Sequence, residues 1–257
     1  MKTGKKNIGI ALIISLVVAL SLTGCKPSKK KVLSSSYYKE LKKENKKLKK
    51  EKGFLFLDNP KLIEEAILAG EEIEVVVFEE NKEEKFASLA KSKNIIVSSE
   101  VFKTLSSAEN SQGALAIVRT RKRPFKPPSG NFLVLDEVQD PGNVGTLVRS
   151  ALAFEFNDIY LINCASPSNE KVVRSTMGAI FKTRVYELSR EEFVSNFKGM
   201  NLYCGEMNGE DISKAQLKFP VGIIVGNEGN GVSNELKKLS KSVAIKMNKG
   251  IESLNAG

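Results

Sequence analysis

Histidine and tryptophan are absent from the 257 residues, and cysteine occurs only three times. Without histidine the chain lacks the side chain most used as a general base near neutral pH, and the commonest zinc ligand. Any chemistry must run on other groups. Cys25, Cys164 and Cys204 are spaced for neither a zinc site nor a disulfide framework. Cys164 and Cys204 fall in apolar, strand-like runs and read as reduced core residues. No metal is expected. Acidic residues are missing from residues 1–25, where Lys2, Lys5 and Lys6 give +3, and are scarce in residues 26–53, where twelve Lys face three Glu. The net charge of +10 therefore leaves residues 54–257 at −2. The basicity belongs to an N-terminal arm. Such an arm suits nucleic acid or an anionic membrane surface, and a solvated, partly helical spacer accounts for it as well.

Residues 1–25 read as a targeting segment. Three lysines precede an uncharged apolar run of fifteen residues, Ile8–Leu22. As a helix that run spans about 22 Å, short of a hydrocarbon core of about 30 Å, which favours a signal peptide over a membrane-spanning helix. The run ends in Leu22-Thr23-Gly24-Cys25 and resembles a bacterial lipobox, which implies lipidation of Cys25 and membrane association. Residues 26–53 lack hydrophobic periodicity and read as a Lys-rich arm or linker.

Residues 54–120 read as a small α/β domain. Phe54–Leu57 is strand-like. Asn59-Pro60 opens a helix carrying Leu62, Ile63, Ala66 and Ile67, which Gly70 can close. Ile73–Phe78 and Ala114–Val118 are β-branched or apolar strands, Asn94–Val97 is another, and helices are expected near Phe86–Ala90 and Val101–Leu105. Residues 121–130 hold Arg121, Lys122, Arg123 and Lys126 before Pro127-Pro128-Ser129-Gly130, a basic, Pro-rich linker. With Arg119, these charges could hold phosphates, or simply be solvated.

Residues 131–257 alternate strand and helix, which points to a largely parallel sheet with ligands beyond the strand C-terminal ends. Phe132–Leu135 delivers a turn at Pro141-Gly142, and Asn143 can cap a helix carrying Val144, Leu147, Val148, Ala151 and Leu152 on one face. Arg149 follows six residues after Asn143, a rotation of about 240°, so the two need not share a face. Val221–Val225 runs into Gly226-Asn227-Glu228-Gly229-Asn230-Gly231, and Ser233 can cap a helix over 234–239. A last strand is expected at Val243–Met247. The glycine loop is neither a dinucleotide fingerprint nor a P-loop.

Three segments together resemble the SpoU (TrmH-like) family of the SPOUT class: Asp140-Pro-Gly-Asn-Val-Gly-Thr-Leu-Val-Arg149, Ile224-Val-Gly-Asn-Glu-Gly-Asn-Gly-Val-Ser233 and Ile245-Lys-Met-Asn-Lys-Gly-Ile-Glu-Ser-Leu-Asn255. Residues 53–66 and 105–118 resemble the substrate-binding domain of the same family, itself similar to ribosomal proteins that grip folded RNA. The resemblance implies a small α/β RNA-binding domain followed by a SPOUT-type α/β domain with a trefoil knot, acting as a homodimer. It implies S-adenosylmethionine as methyl donor and a ribose 2′-hydroxyl of RNA as acceptor, ribosomal RNA being favoured over transfer RNA. By match of position, Gly226, Ile245 and Leu254 hold the adenosine, and Asn143, Arg149, Glu228, Ser253 and Asn255 line the reacting end. An arginine stays protonated in proteins, so Arg149 is better read as stabilising the developing alkoxide than as a base. Plainer readings stand beside these: Asn143 as a helix cap, Glu228 as a loop-bracing carboxylate, Arg149 as a surface cation.

Two departures from the family pattern stand out. Lys246 occupies a position usually held by proline. The chain also stops at Gly257, two residues after Asn255, where the family continues into a helix that completes the knot and the dimer. On this reading the chain is a fragment of low activity. Location is also divided, since S-adenosylmethionine and RNA are cytoplasmic while a lipobox exports. A fused reading frame, an uncleaved anchor and a lipoprotein with a retired catalytic domain would each reconcile the two ends, and the first is favoured. A non-catalytic RNA-binding remnant and a membrane-anchored lipoprotein of unrelated role are the competing functions.

Overall fold

The computed structural model describes residues 54–89, 94–106, 111–119 and 123–248. The segments expected to be a targeting sequence and a Lys-rich arm, with Cys25, and Ser253, Leu254 and Asn255 lie outside the described residues. The chain divides into two compact units, residues 1–120 and 121–257.

In the first unit, β1 (Phe54–Leu57), β2 (Glu72–Glu79), β3 (Asn94–Val97) and β4 (Ala114–Arg119) form one sheet in the order β1-β4-β2-β3. The β1–β4 and β2–β4 pairs are antiparallel and only β2–β3 is parallel. Strand–helix alternation alone does not reveal this mixed pairing. Helix α1 (Pro60–Leu68) starts where expected: Asn59 is the N-cap, and its side chain accepts the Lys61 N–H. Gly70, at φ +75°, follows the helix end in the left-handed conformation that glycine tolerates. Leu62, Ile63 and Ala66 of α1 are buried. Phe102, from α2 (Ser99–Leu105), packs with Val75, Val77 and Leu115. The helix expected near Phe86 is a short 3₁₀ segment, Glu84–Leu89, broken at Phe86.

In the second unit six strands pair in parallel throughout. They are β5 (Phe132–Asp136), β6 (Asp158–Ile162), β7 (Arg184–Leu188), β8 (Leu202–Asp211), β9 (Gly222–Val225) and β10 (Lys241–Ala244). Their order is β10-β8-β9-β5-β6-β7. Every residue of β5 and β6 is buried, as central strands covered on both faces require. Alternate residues feed opposite cores. Phe132, Val134, Tyr160 and Ile162 join Phe193 and Phe197 of α5 (Arg190–Phe197). Leu133, Leu135, Ile159 and Leu161 join Val144 and Val148 of α3 (Pro141–Ala153) and Val172 of α4 (Glu170–Ser175). Cys204 is buried in β8; Cys164, just after β6, is half-buried, and burial pushes its thiol up to about 11.

Two segments end sooner than the sequence pattern indicates. β10 stops at Ala244 rather than Met247, and α6 (Asn234–Lys237) is a single turn, with no capping bond from the Ser233 side chain. β8, by contrast, runs on to Asp211, and its pairing with β10 skips from Cys204 to Glu210. Residues of the expected linker are fastened to the second unit. Phe125 lies 6.0 to 6.4 Å from the rings of Tyr160, Tyr186 and Phe197, and the Lys126 carbonyl accepts the Tyr160 hydroxyl at 2.9 Å.

Candidate functional site

The strand order places one reversal in the parallel sheet. From β5 the chain leaves through α3 toward β6, on one side. From the adjacent β9 it leaves through α6 toward β10, on the other side. The connections after β5 and β9 therefore run in opposite directions from the strand C-terminal ends, the place where such sheets bind ligands.

The loop after β5 corrects one expectation. Asp140, not Asn143, caps α3: its Oδ1 accepts the Asn143 N–H at 2.9 Å. Its Oδ2 accepts a bond from Lys171 Nζ at 3.1 Å. The Asn143 N–H and the Lys171 ammonium hold the Asp140 carboxyl below the usual range. With the cap filled from three residues upstream, the Asn143 side chain is released for another task. Its Nδ2 donates to Glu228 Oε1 at 2.7 Å, across 85 residues of sequence.

Glu228 sits in a loop that builds its own frame. Asn227 and Gly231 exchange two backbone hydrogen bonds, at 3.0 and 2.9 Å. Asn227 Oδ1 accepts the N–H groups of Gly229 and Asn230 at 2.9 and 3.0 Å. Closure depends on Gly226, where a Cβ would lie 2.2 Å from the Gly231 carbonyl carbon and 2.3 Å from Val232 N, both backbone. The loop is also tied to the end of β5. Asn227 Nδ2 donates to the Glu137 carbonyl at 2.9 Å, and the Ser233 N–H donates to Asp136 Oδ2 at 2.7 Å.

Asp136 is fully buried, and Glu137 beside it has φ +60°. Arg190, at the start of α5, faces both: its Nη2 is 2.6 Å from Glu137 Oε1 and 3.4 Å from Asp136 Oδ1. Burial works against the Arg190 charge, but the two carboxylates outweigh it and its affinity for the proton is raised.

Of the sequence-predicted residues, the structure brings Asn143, Glu228 and Gly226 together. Arg149 lies in the third turn of α3 on the exposed face, with no hydrogen-bond or ion-pair partner among the described residues. Ile245 follows β10 and is 64% exposed. Sequence reasoning passed over Asp136, Arg190 and the bracing role of Asn227. A carboxylate closing an otherwise apolar strand was the available signal for Asp136; nothing in the sequence marked Arg190. Among the described residues no group of three or more Cys, Asp or Glu is placed to hold a metal ion.

The residues present fit a ligand with a flat apolar ring and a positive centre. Glu228 is an exposed carboxylate on the glycine loop and supplies a negative charge there, and Ile245, after β10, has an exposed apolar side chain.

Residues 130–257 match the SpoU rRNA Methylase family, and residues 37–116 match the MRM3-like substrate binding domain. The second match begins inside the segment that reads from sequence as an arm. An uncharacterized tRNA/rRNA methyltransferase of Synechocystis is 29% identical over 221 residues, spanning 80% of this chain and 81% of that protein. The 23S rRNA (guanosine(2553)-2′-O)-methyltransferase of Bacillus subtilis is 28% identical over 165 residues, 62% of this chain and 66% of its own length. The crystal structure of an AdoMet-bound rRNA methyltransferase from Sinorhizobium meliloti superposes with a TM-score of 0.76 at 25% identity, covering 88% of this chain and 92% of that one. The chain belongs to the SpoU rRNA methylase family, with residues 130–257 as its methylase domain.

Proposed function

We propose that this chain transfers a methyl group from S-adenosylmethionine to a ribose 2′-hydroxyl of RNA. The observation that carries the reading is the 2.7 Å bond between Asn143 and Glu228, which joins two of the family-like segments at the switch point of the sheet. The donor supplies an already activated methyl group on a sulfonium. What remains for the protein is alignment of the acceptor and stabilisation of charge.

On this reading Gly226, Ile245 and Leu254 hold the adenosine. Glu228, fixed by Asn143 and by the Asn227 frame, orients the reacting end together with Ser253 and Asn255. Arg149, cationic as arginines are, stabilises the alkoxide that develops on the ribose oxygen, and the proton leaves to water or a neighbouring phosphate. Ribosomal RNA is favoured over transfer RNA because residues 53–66 and 105–118 resemble a substrate-binding domain that is itself similar to ribosomal proteins. A trefoil knot and a homodimer belong to the same proposal, as does a cytoplasmic place of action. Membrane association rests on the pattern ending at Cys25 alone; among the described residues no helix is long and apolar enough to cross a membrane.

The test pairs calorimetric titration of S-adenosylmethionine with transfer of a labelled methyl group to ribosomal RNA. Arg149→Ala should bind the donor as the parent does and lose about a hundred- to a thousandfold in transfer rate. A folded parent protein that binds no donor would sink the reading. Equal transfer by the Arg149→Ala variant would remove Arg149 from the mechanism.

A further inference from the structure

Arg190 lies on an element outside the three family-like segments, yet its guanidinium meets the carboxylates of Asp136 and Glu137, the two residues that hold the glycine loop, Asp136 by its carboxylate and Glu137 by its backbone carbonyl. Asp136 holds the loop's far end through the Ser233 N–H, and Glu137 holds its near end through the Asn227 amide. Asp136 and Glu137 are adjacent, and Asp136 has no access to solvent. Two neighbouring carboxylates, one of them buried, keep a fixed arrangement only when a cation offsets their charge. Arg190 Nη2 touches both, at 3.4 and 2.6 Å, and its side chain is 23% exposed. No other cation is in ion-pair contact with either carboxylate among the described residues.

We propose that Arg190 is a positioning residue. By clamping Asp136 and Glu137, it fixes the loop 226–233 in the shape that presents Glu228 and the Gly226 backbone to the donor. The proposal deepens the methyl-transfer reading and rests on it for the identity of the ligand. Arg190 itself touches neither reactant. Removing its charge leaves Asp136 buried and unpaired, and the strand end and the loop must rearrange together. Removing the Asp136 charge as well relieves that demand, because an asparagine can still accept the Ser233 N–H.

The experiment uses the full chain with Arg190→Met, Arg190→Lys and the double variant Arg190→Met/Asp136→Asn. Amide hydrogen exchange of the peptide covering residues 226–233, thermal unfolding and the Kd for S-adenosylmethionine are measured on each. In Arg190→Met, exchange should rise in that peptide while β6 and β7 keep their protection, and the Kd should rise about ten- to a hundredfold. Arg190→Lys and the double variant should each recover most of both. Unchanged loop exchange in Arg190→Met would overturn the proposal. So would a rise spread evenly over the whole unit, with a matching fall in Tm and no recovery in the double variant. Should the parent protein bind no S-adenosylmethionine, the methyl-transfer reading fails while the exchange data still decide whether Arg190 clamps the loop.

Discussion

Asn143 donates and Glu228 accepts, and that polarity can be reversed. Asn143→Asp sets two carboxylates against each other where a 2.7 Å bond stood. Loss of a hydrogen bond to a charged group corresponds to a fall in transfer rate of about ten- to a hundredfold. Adding Glu228→Gln restores a donor facing an acceptor, now with the roles exchanged, and should recover much of the loss. If the double variant is no better than Asn143→Asp alone, the two side chains do not act as a pair. Both residues were named by the sequence motifs, but the bond between them was not readable. It depends on Asp140 taking the helix cap that Asn143 was expected to fill, and on β9 lying beside β5. Asp140 and Asn143 are both good caps by residue type. Proline at the first helical position decides between them: Pro141 makes Asp140 the cap.

Strands and helices of the methylase domain were legible because each is an apolar run bounded by turn residues; what escaped was how a nominal linker is used. Pro127-Pro128-Ser129-Gly130 reads as loose chain, yet Ser129 is bonded into the base of the sheet. Its N–H donates to Asp158 Oδ2 at 3.0 Å, and its hydroxyl accepts from Arg184 Nη2 at 2.9 Å. Arg184 Nε and Nη2 in turn donate to the two Asp158 oxygens at 2.6 and 2.9 Å. The Asp158 side chain is 3% exposed. Burial raises its carboxyl, but the bonds from Arg184 and Ser129 prevail and hold it below the ordinary value. A carboxyl depressed on folding stabilises the fold above its unfolded pKa of about 3.9, and that contribution fades as pH falls through the lower folded value. Arg184→Met should therefore cost about 1–3 kcal/mol at neutral pH in urea unfolding. The gap between parent and variant should narrow as pH falls below about 4. A gap that stays constant into acid would show that Arg184 contributes by packing and not through Asp158.

At the scale of the whole chain, alternation of strand and helix foretold the parallel sheet of residues 131–257 but not its order, and in the first unit the same alternation accompanies a mixed sheet. The switch point between β5 and β9 follows from the return of the chain across the sheet after β7, a long-range choice that no local pattern encodes. Charge distribution, by contrast, is fully legible, since it needs no fold: residues 26–53 carry a net +9, and the rest of the chain beyond them sums to −2. If that arm grips RNA, it does so by displacing counterions from phosphates, and the logarithm of the binding constant falls with the logarithm of salt concentration by about 0.7–0.9 per neutralised phosphate. Replacing Lys29, Lys30, Lys31, Lys42, Lys43 and Lys46 by glutamine should make that slope shallower, by up to about 4–5 where all six lysines reach phosphates. Binding at low salt should weaken in step, while affinity for S-adenosylmethionine holds, because the proposed donor site lies in the other unit. Filter-binding titrations of both proteins across a salt series measure the difference. An unchanged slope would mean that these lysines are simply solvated and would leave RNA recognition to residues 54–257, where net charge is −2 and the cations that count must be few and placed.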